Sequence, residues 1–246
     1  MSVNLIVTGG SRGIGAATAL MAADRGYNIC VNYLARSDRA DEIVEQVKAK
    51  GQNAIAVQAD VSKDADVARL FETSDKELGP VGGLVNSAGI TGGISRLDDE
   101  RITDEHLANL WAINITGTVI PCRYAVLHMS TNHGGKGGSI VNVGSIASKL
   151  GTAGKYIYYA ASKGAIDSFT IGLAGEVAGE GIRANCVRPG LTDTEIQLPG
   201  FIEEMGPKLP MKRAAHADEI ASVILHLLSD EASYVSGALV DIAGSL

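Results

Sequence analysis

The chain has 246 residues, three cysteines and a formal net charge of -7, a length that suits one large α/β domain or two small ones and can bury a substantial core. The acidic balance argues against nucleic acid or an anionic membrane as partner. No apolar run reaches the roughly 20 residues of a membrane span, and the start, MSVNLIVTGG, enters a strand with neither a basic region nor a signal-peptide core.

In chain order, Val3–Val7 is a short apolar run, expected as a buried parallel strand. It leads into Thr8-Gly9-Gly10-Ser11-Arg12-Gly13-Ile14-Gly15, then a helical stretch from Ala16 to Arg25 closed by Gly26. In that context glycines let the backbone approach a pyrophosphate, and the helix N-terminus favours its charge. The competing reading is a tight turn with no ligand. Tyr27–Tyr33 reads as the second strand. Its end, near Asn32 and Tyr33, lacks the acid that commonly binds the adenine ribose. Arg12 and Arg36 are cations placed to meet a 2′-phosphate, so NADP(H) is favoured, with NAD(H) possible. The alternative is two solvated arginines.

Asp41–Lys50 reads as an amphipathic helix and Ala54–Ala59 as the third strand, closed by Asp60-Val61. Asp60 suits either an adenine amino group or a turn or cap residue for the next helix, Ala65–Leu78. The fourth strand starts at Gly83 and ends in Asn86-Ser87-Ala88-Gly89, a small-residue turn open to a ribose. Thr103 is expected as the N-cap of a helix running to Asn114. A second helix follows from Ile115 to about Met129, which Pro121 is expected to kink or restart. Asn132–Gly138 is expected as a surface loop. Ser139–Val143 forms the fifth strand and delivers Ser145. A helix then runs from Tyr158 to about Gly179, and Arg183–Val187 is a strand ending at Arg188-Pro189-Gly190. Leu191–Arg213 has weak periodicity and three prolines, the pattern of a binding lid. His216–Leu228 and Ala238–Ile242 are the last helix and strand.

Strands alternate with helices without a linker. The expectation is one domain over 1–246: a Rossmann-type, doubly wound α/β parallel sheet of about seven strands with helices on both faces. The glycine turn, Asn86–Gly89, Ser145 and Pro189-Gly190 each follow a strand. They therefore converge at the carboxyl edge, where such sheets bind ligands.

Tyr159 and Lys163 are four residues apart on one helix and so share a face. A free phenol has a pKa of about 10, and a nearby ammonium lowers it, which suits Tyr159 to proton transfer with an alcohol or carbonyl oxygen. Ser145 can reach the same oxygen. Tyr158 should point away from Lys163, and Tyr156 should border the substrate pocket. Cys30, Cys122 and Cys186 have no metal-ligand spacing. No metal is expected, and the thiols read as reduced core residues of a cytoplasmic protein.

With these residues in view, the chain resembles the short-chain dehydrogenase/reductase family over essentially its whole length. Thr8-Gly9-x-x-x-Gly13-x-Gly15 is similar to that family's cofactor turn. Asn86-Ser87-Ala88-Gly89 is similar to its Asn-Asn-Ala-Gly motif, with Ser87 departing from the second Asn. Asn114, Ser145, Tyr159 and Lys163 match its tetrad, with a Ser-to-Tyr gap one residue longer than common. Pro189-Gly190 with Thr194 resembles its nicotinamide-side motif, and Thr192 falls in the same segment. The resemblance implies Tyr159 as acid/base and Lys163 as its modulator and ribose ligand. Ser145 would position the substrate oxygen, and Asn114 would support a water relay. It implies a hydride transfer between a nicotinamide cofactor and a small carbonyl or alcohol. It also implies a homotetramer built partly on the Tyr159 helix, and a likeness to 3-oxoacyl-[acyl-carrier-protein] reductases and sugar 1-dehydrogenases. Ala243-Gly244-Ser245 departs from the family's Asn-Gly-Gly, so the end of the last strand is expected to pack differently. A dinucleotide-binding regulator without turnover is the alternative, disfavoured because it has no need of Ser145, Tyr159 and Lys163 together.

Overall fold

The short apolar runs form strands because helices cover both of their faces. In the computed structural model, which describes residues 3–246, they are β1 (Asn4–Thr8), β2 (Asn28–Tyr33), β3 (Ala54–Gln58), β4 (Val81–Asn86), β5 (Gly138–Val143), β6 (Ile182–Pro189) and β7 (Leu239–Ile242). Met1 and Ser2, the lead-in to the first expected strand, lie outside the described residues. All seven pair in parallel, in the order β3-β2-β1-β4-β5-β6-β7. The order switches direction between β1 and β4, which opens a crevice above their carboxyl ends. This is the doubly wound sheet expected from the alternation of elements.

Successive residues of each strand point to opposite faces, and two cores result. Leu5 and Val7 pack on one face with α1 (Gly13–Asp24), α2 (Ser37–Ala49) and α9 (Ala217–Leu228). Ile6 packs on the other with α3 (Asp64–Leu78), α5 (Gly117–Met129) and α7 (Ile157–Val177). The remaining helices are α4 (Asp104–Trp111), α6 (Ala147–Leu150) and α8 (Phe201–Met205).

Several boundaries differ from expectation for definite reasons. α2 begins at Ser37 rather than Asp41, because its first turn is polar and its buried stripe starts only at Ala40. Asp38 in that turn is favoured by the helix dipole. Pro121 does not restart the helix but lies inside α5. The chain is helical from Asp104 to Met129, and it widens into a π-turn at Ala112–Thr116. There Gly117 lies so close to Val61 that a Cβ would come within 2.6 Å of its side chain. This continuous helix is long and apolar enough to cross a membrane by length and composition alone, although no apolar run was expected to be. It lies against the sheet instead, with Leu110, Cys122, Ala125 and Met129 fully buried. The Asn132–Gly138 loop holds a single 3-10 turn at Thr131–His133. The Ser145–Tyr159 gap contains α6, which absorbs its length, and Leu191–Arg213 contains α8 and a 3-10 turn at Gly206–Lys208. Ala243 packs directly on Gly190, where a Cβ would come within 2.9 Å of the Ala243 Cα.

Candidate active site

The turns after β1 and β4 are laced together. The buried Thr8 hydroxyl accepts the N–H groups of Ser87 at 3.1 Å and Ala88 at 3.3 Å. Gly9 has φ 61°, and a Cβ there would lie 2.9 Å from the Ala88 Cα. Both facts demand glycine. A Cβ on Gly15 would strike the Gly9 carbonyl, so Gly15 lets α1 close onto the turn. Asn32, passed over in sequence as the place where an acid is missing, holds the turn from the side. Its Oδ1 accepts the Gly9 N–H at 3.3 Å, and its Nδ2 donates to the Ala59 carbonyl at 3.0 Å. No side chain caps α1, which leaves its first N–H groups for an anion.

Above these turns lies a cavity of about 850 Å³. Gly9, Ser11, Arg12, Gly13 and Ile14 line one end, with Tyr33, Arg36, Asp60, Val61, Ala88 and Gly89. Ser145, Tyr159, Lys163, Pro189, Gly190, Thr192 and Thr194 line the rest. Of the residues singled out in sequence, Gly15, Asn86 and Asn114 do not line it. Asn86 is the last residue of β4, and its side chain points under the sheet, where its Nδ2 donates to Asn142 Oδ1 at 2.9 Å. Ser87, Tyr156, Phe201, Met205, Leu209 and the C-terminal Leu246 line the cavity without having been named as ligands. Ser87 and the lid residues were legible from their segments. Leu246 carried no signal.

The two arginines are not equally free. Arg36 makes a two-point contact with Asp38, at 2.9 and 2.7 Å, and holds that carboxyl down at about 2. Arg12 has only Glu195 at 3.8 Å. Asp60 takes the turn role, its Oδ1 accepting the Ser62 N–H at 2.9 Å and hydroxyl at 2.7 Å, and no side chain caps α3.

At the other end, β5 delivers Ser145, whose hydroxyl accepts the Ala147 N–H at 3.1 Å and neighbours the Tyr159 phenol. Tyr159 and Lys163 share the inner face of α7, with Lys163 Nζ 5.8 Å from the Tyr159 ring centre. Lys163 is 5% exposed and donates to the Val143 carbonyl at 2.9 Å. Burial pushes its ammonium down to about 8, with Cys186 and Asp167 acting the other way. The expected lowering of the phenol by this lysine is not what the protein alone displays. Burial pushes Tyr159 up to about 12, opposed by the Ser145 hydrogen bond. Tyr158 is buried and donates to the Gly93 carbonyl at 2.9 Å, away from the lysine. Tyr156 precedes α7 and meets the Tyr159 ring edge-on at 5.7 Å.

Asn114 sits in the π-turn, fully buried. Its amide exchanges two 2.9 Å bonds with the backbone of Ile90 and donates to Ser162 at 3.0 Å. Its side chain is thus committed to structure, and its carbonyl accepts the Thr118 hydroxyl at 3.0 Å. Among the described residues, no group of three His, Cys, Asp or Glu is placed to hold a metal.

A parallel sheet with a glycine cradle at its switch point, and a Ser-Tyr-Lys group across the same cavity, define a nicotinamide-dependent oxidoreductase. The chain belongs to the short-chain dehydrogenase/reductase family: residues 9–244 match the family model described as enoyl-(acyl carrier protein) reductase. It is 45% identical over 243 residues to the uncharacterized oxidoreductase YgfF of Escherichia coli K12, covering 97% of this chain and 98% of that one. Among solved structures, a short chain dehydrogenase from Burkholderia cenocepacia J2315 in complex with NADP superimposes with a TM-score of 0.90. The identity is 30%, covering 99% of this chain and 97% of that one. A blue fluorescent protein from a metagenomic library, in complex with NADPH, also gives a TM-score of 0.90 at 32% identity, with coverage of 99% and 97%.

Proposed function

We propose that this enzyme transfers a hydride between NADP(H) and a carbonyl or secondary alcohol, with Tyr159 as the acid/base. The observation that carries this reading is the meeting of Ser145, Tyr159 and Lys163 at one end of a cavity whose other end holds Arg12 and an uncapped helix N-terminus. The cradle fits the cofactor, since Gly9 and Gly13 leave room that a Cβ would fill or strain. The NADP and NADPH bound to the two solved relatives support the same choice.

The turn from Gly9 to Ile14 would hold the pyrophosphate, and Arg12 would meet the 2′-phosphate. Arg36, with its Nε and Nη2 on Asp38, is the more committed of the two. Ala88 and Gly89 would border a ribose, and Pro189, Gly190, Thr192 and Thr194 the nicotinamide side. When bound, the nicotinamide supplies or accepts the hydride. Ser145 would orient the substrate oxygen. Tyr159, protonated at neutral pH, gives that oxygen a proton in reduction and takes it back in oxidation. Lys163 places a positive charge beside the phenol. In the transition state that charge favours the developing phenolate, even though burial dominates beforehand.

Leu191–Arg213 would close over the substrate, since Phe201, Met205 and Leu209 already line the cavity. With Ile94, Leu150 and Leu246 they make its wall apolar, which suits a carbonyl compound with an apolar body. The three buried free thiols accord with a cytoplasmic location. A homotetramer is proposed on the exposed face of α7, where Ile171 is 54% exposed, and sedimentation equilibrium tests it. A panel of carbonyls and alcohols with both reduced and both oxidised cofactors, followed by nicotinamide absorbance, tests the activity. Absence of turnover across aldehydes, ketones and secondary alcohols would overturn it.

A further inference from the structure

Behind the site runs a chain of polar contacts that the proposed reaction does not use directly. The Ser148 hydroxyl donates to Asp167 Oδ2 at 2.6 Å and approaches the Ser145 carbonyl at 2.9 Å. Arg188 donates to the same Asp167 oxygen at 3.4 Å and to Asp241 at 2.6 Å. Lys149 closes the circuit with Asp241 at 3.1 Å. Ser148 and Lys149 are neighbours on α6, so the ring leaves α6, crosses α7, β6 and β7, and returns to α6. Its inner pair is well covered, with the Arg188 and Asp167 side chains 15% and 14% exposed.

Each link lies next to a residue of the proposed site. Ser148 is one turn beyond Ser145. Asp167 is one turn beyond Lys163 on α7, and Arg188 immediately precedes Pro189-Gly190. We infer that Asp167 is a positioning residue of this enzyme: through Ser148 and Arg188 it locks the Ser145 turn and the Pro189-Gly190 turn to the helix of Tyr159 and Lys163. The inference rests on the proposed acid/base reading. Precise placement of such groups is where turnover is most sensitive, because small displacements of reacting atoms are costly.

Asp167 has a second effect through its charge. The groups facing Lys163 are the Val143 carbonyl from β5, Cys186 from β6, and Tyr159 and Asp167 from α7. The Asp167 carboxylate favours the ammonium, against the larger opposing effect of burial. Removing that charge must lower the pH at which Lys163 loses its proton.

The test compares Asp167→Asn, Ser148→Ala and Asp241→Asn with the parent enzyme, each checked by thermal melting. Two readouts are followed: the pH profile of kcat for carbonyl reduction, and the titration of Lys163 by NMR of [13Cε]lysine-labelled protein. Asp167→Asn is expected to lower kcat about tenfold or more. It should also move the alkaline limb and the Lys163 titration to lower pH by about half a unit or more. Ser148→Ala is expected to lower kcat while leaving both midpoints in place, because it removes the tether but keeps the charge. Asp241→Asn, at the outer side of the ring, is expected to lower the melting temperature without moving either midpoint. An Asp167→Asn enzyme with parental kcat and an unmoved Lys163 titration would overturn the inference. So would a Ser148→Ala enzyme with parental kcat. The NMR titration needs no turnover, so a protein inactive on every substrate would contradict the proposed reaction while still reporting whether Asp167 acts on Lys163.

Discussion

The side-chain amide of Asn114 donates to the Ser162 hydroxyl at 3.0 Å, joining the π-turn between α4 and α5 to the helix that carries Tyr159 and Lys163. The same amide is bonded both ways to the Ile90 backbone, just after the small-residue turn. Asn114 therefore ties the helix of Tyr159 and Lys163 to the turn that follows β4. Asn114→Ala would remove both partners of the half-buried Ile90 N–H and carbonyl, at a cost of about 0.5–1.5 kcal/mol per lost hydrogen bond. We expect a lower melting temperature together with a turnover loss of about tenfold or more. A variant with parental melting and parental kcat would show the bridge to be dispensable.

Cofactor choice follows from the cations at the other end. A charge-assisted contact to phosphate is worth about 1.5–3 kcal/mol, so NADPH should bind about tenfold or more tightly than NADH. Because Arg36 is already engaged by Asp38, Arg12→Ala should cost more NADPH affinity than Arg36→Ala, and neither should change NADH affinity much. Fluorescence titration of both cofactors checks this. Equal affinities for the two in the parent enzyme would contradict it.

The glycine turn was readable because a strand, a glycine-rich turn and a helix in that order favour a bound pyrophosphate over an empty turn. The Tyr159–Lys163 pair was readable because a four-residue spacing fixes a shared helix face. The π-turn was not, since widening a helix by one residue has no residue signature. That the Asn86 side chain faces away from the cavity was hidden for a related reason. A motif shows that a turn approaches the ligand, but the alternation of side chains along β4 decides which of its residues face away. Asn32 and Asp167 were invisible as partners because their contacts join segments far apart in the chain.

The pH dependence of reduction should belong to the lysine rather than the tyrosine. Tyr159 is held up at about 12 and keeps its proton across the working range. Lys163 is pushed down to about 8, so its positive charge is present below that pH and is lost as pH rises through it. Carbonyl reduction should therefore decline on the alkaline side of about 8. Lys163→Arg, whose guanidinium stays charged, should keep no such limb in whatever activity it retains. Stopped-flow rates from neutral to alkaline pH measure it, and a rate that stays level through this range would contradict the assignment.

Of three neighbouring tyrosines, Tyr159 alone should carry the proton. Steady-state turnover of Tyr159→Phe beside Tyr158→Phe and Tyr156→Phe, with NADPH binding measured on each, tests it most directly. Tyr159→Phe keeps the ring and loses only the hydroxyl, so it should lose about 10²–10⁴-fold in kcat while still binding cofactor. Tyr158→Phe gives up only its bond to the Gly93 carbonyl and should stay active, and Tyr156→Phe should alter substrate affinity at most. Near-parental turnover by Tyr159→Phe, with loss of turnover by Tyr158→Phe, would contradict the central claim.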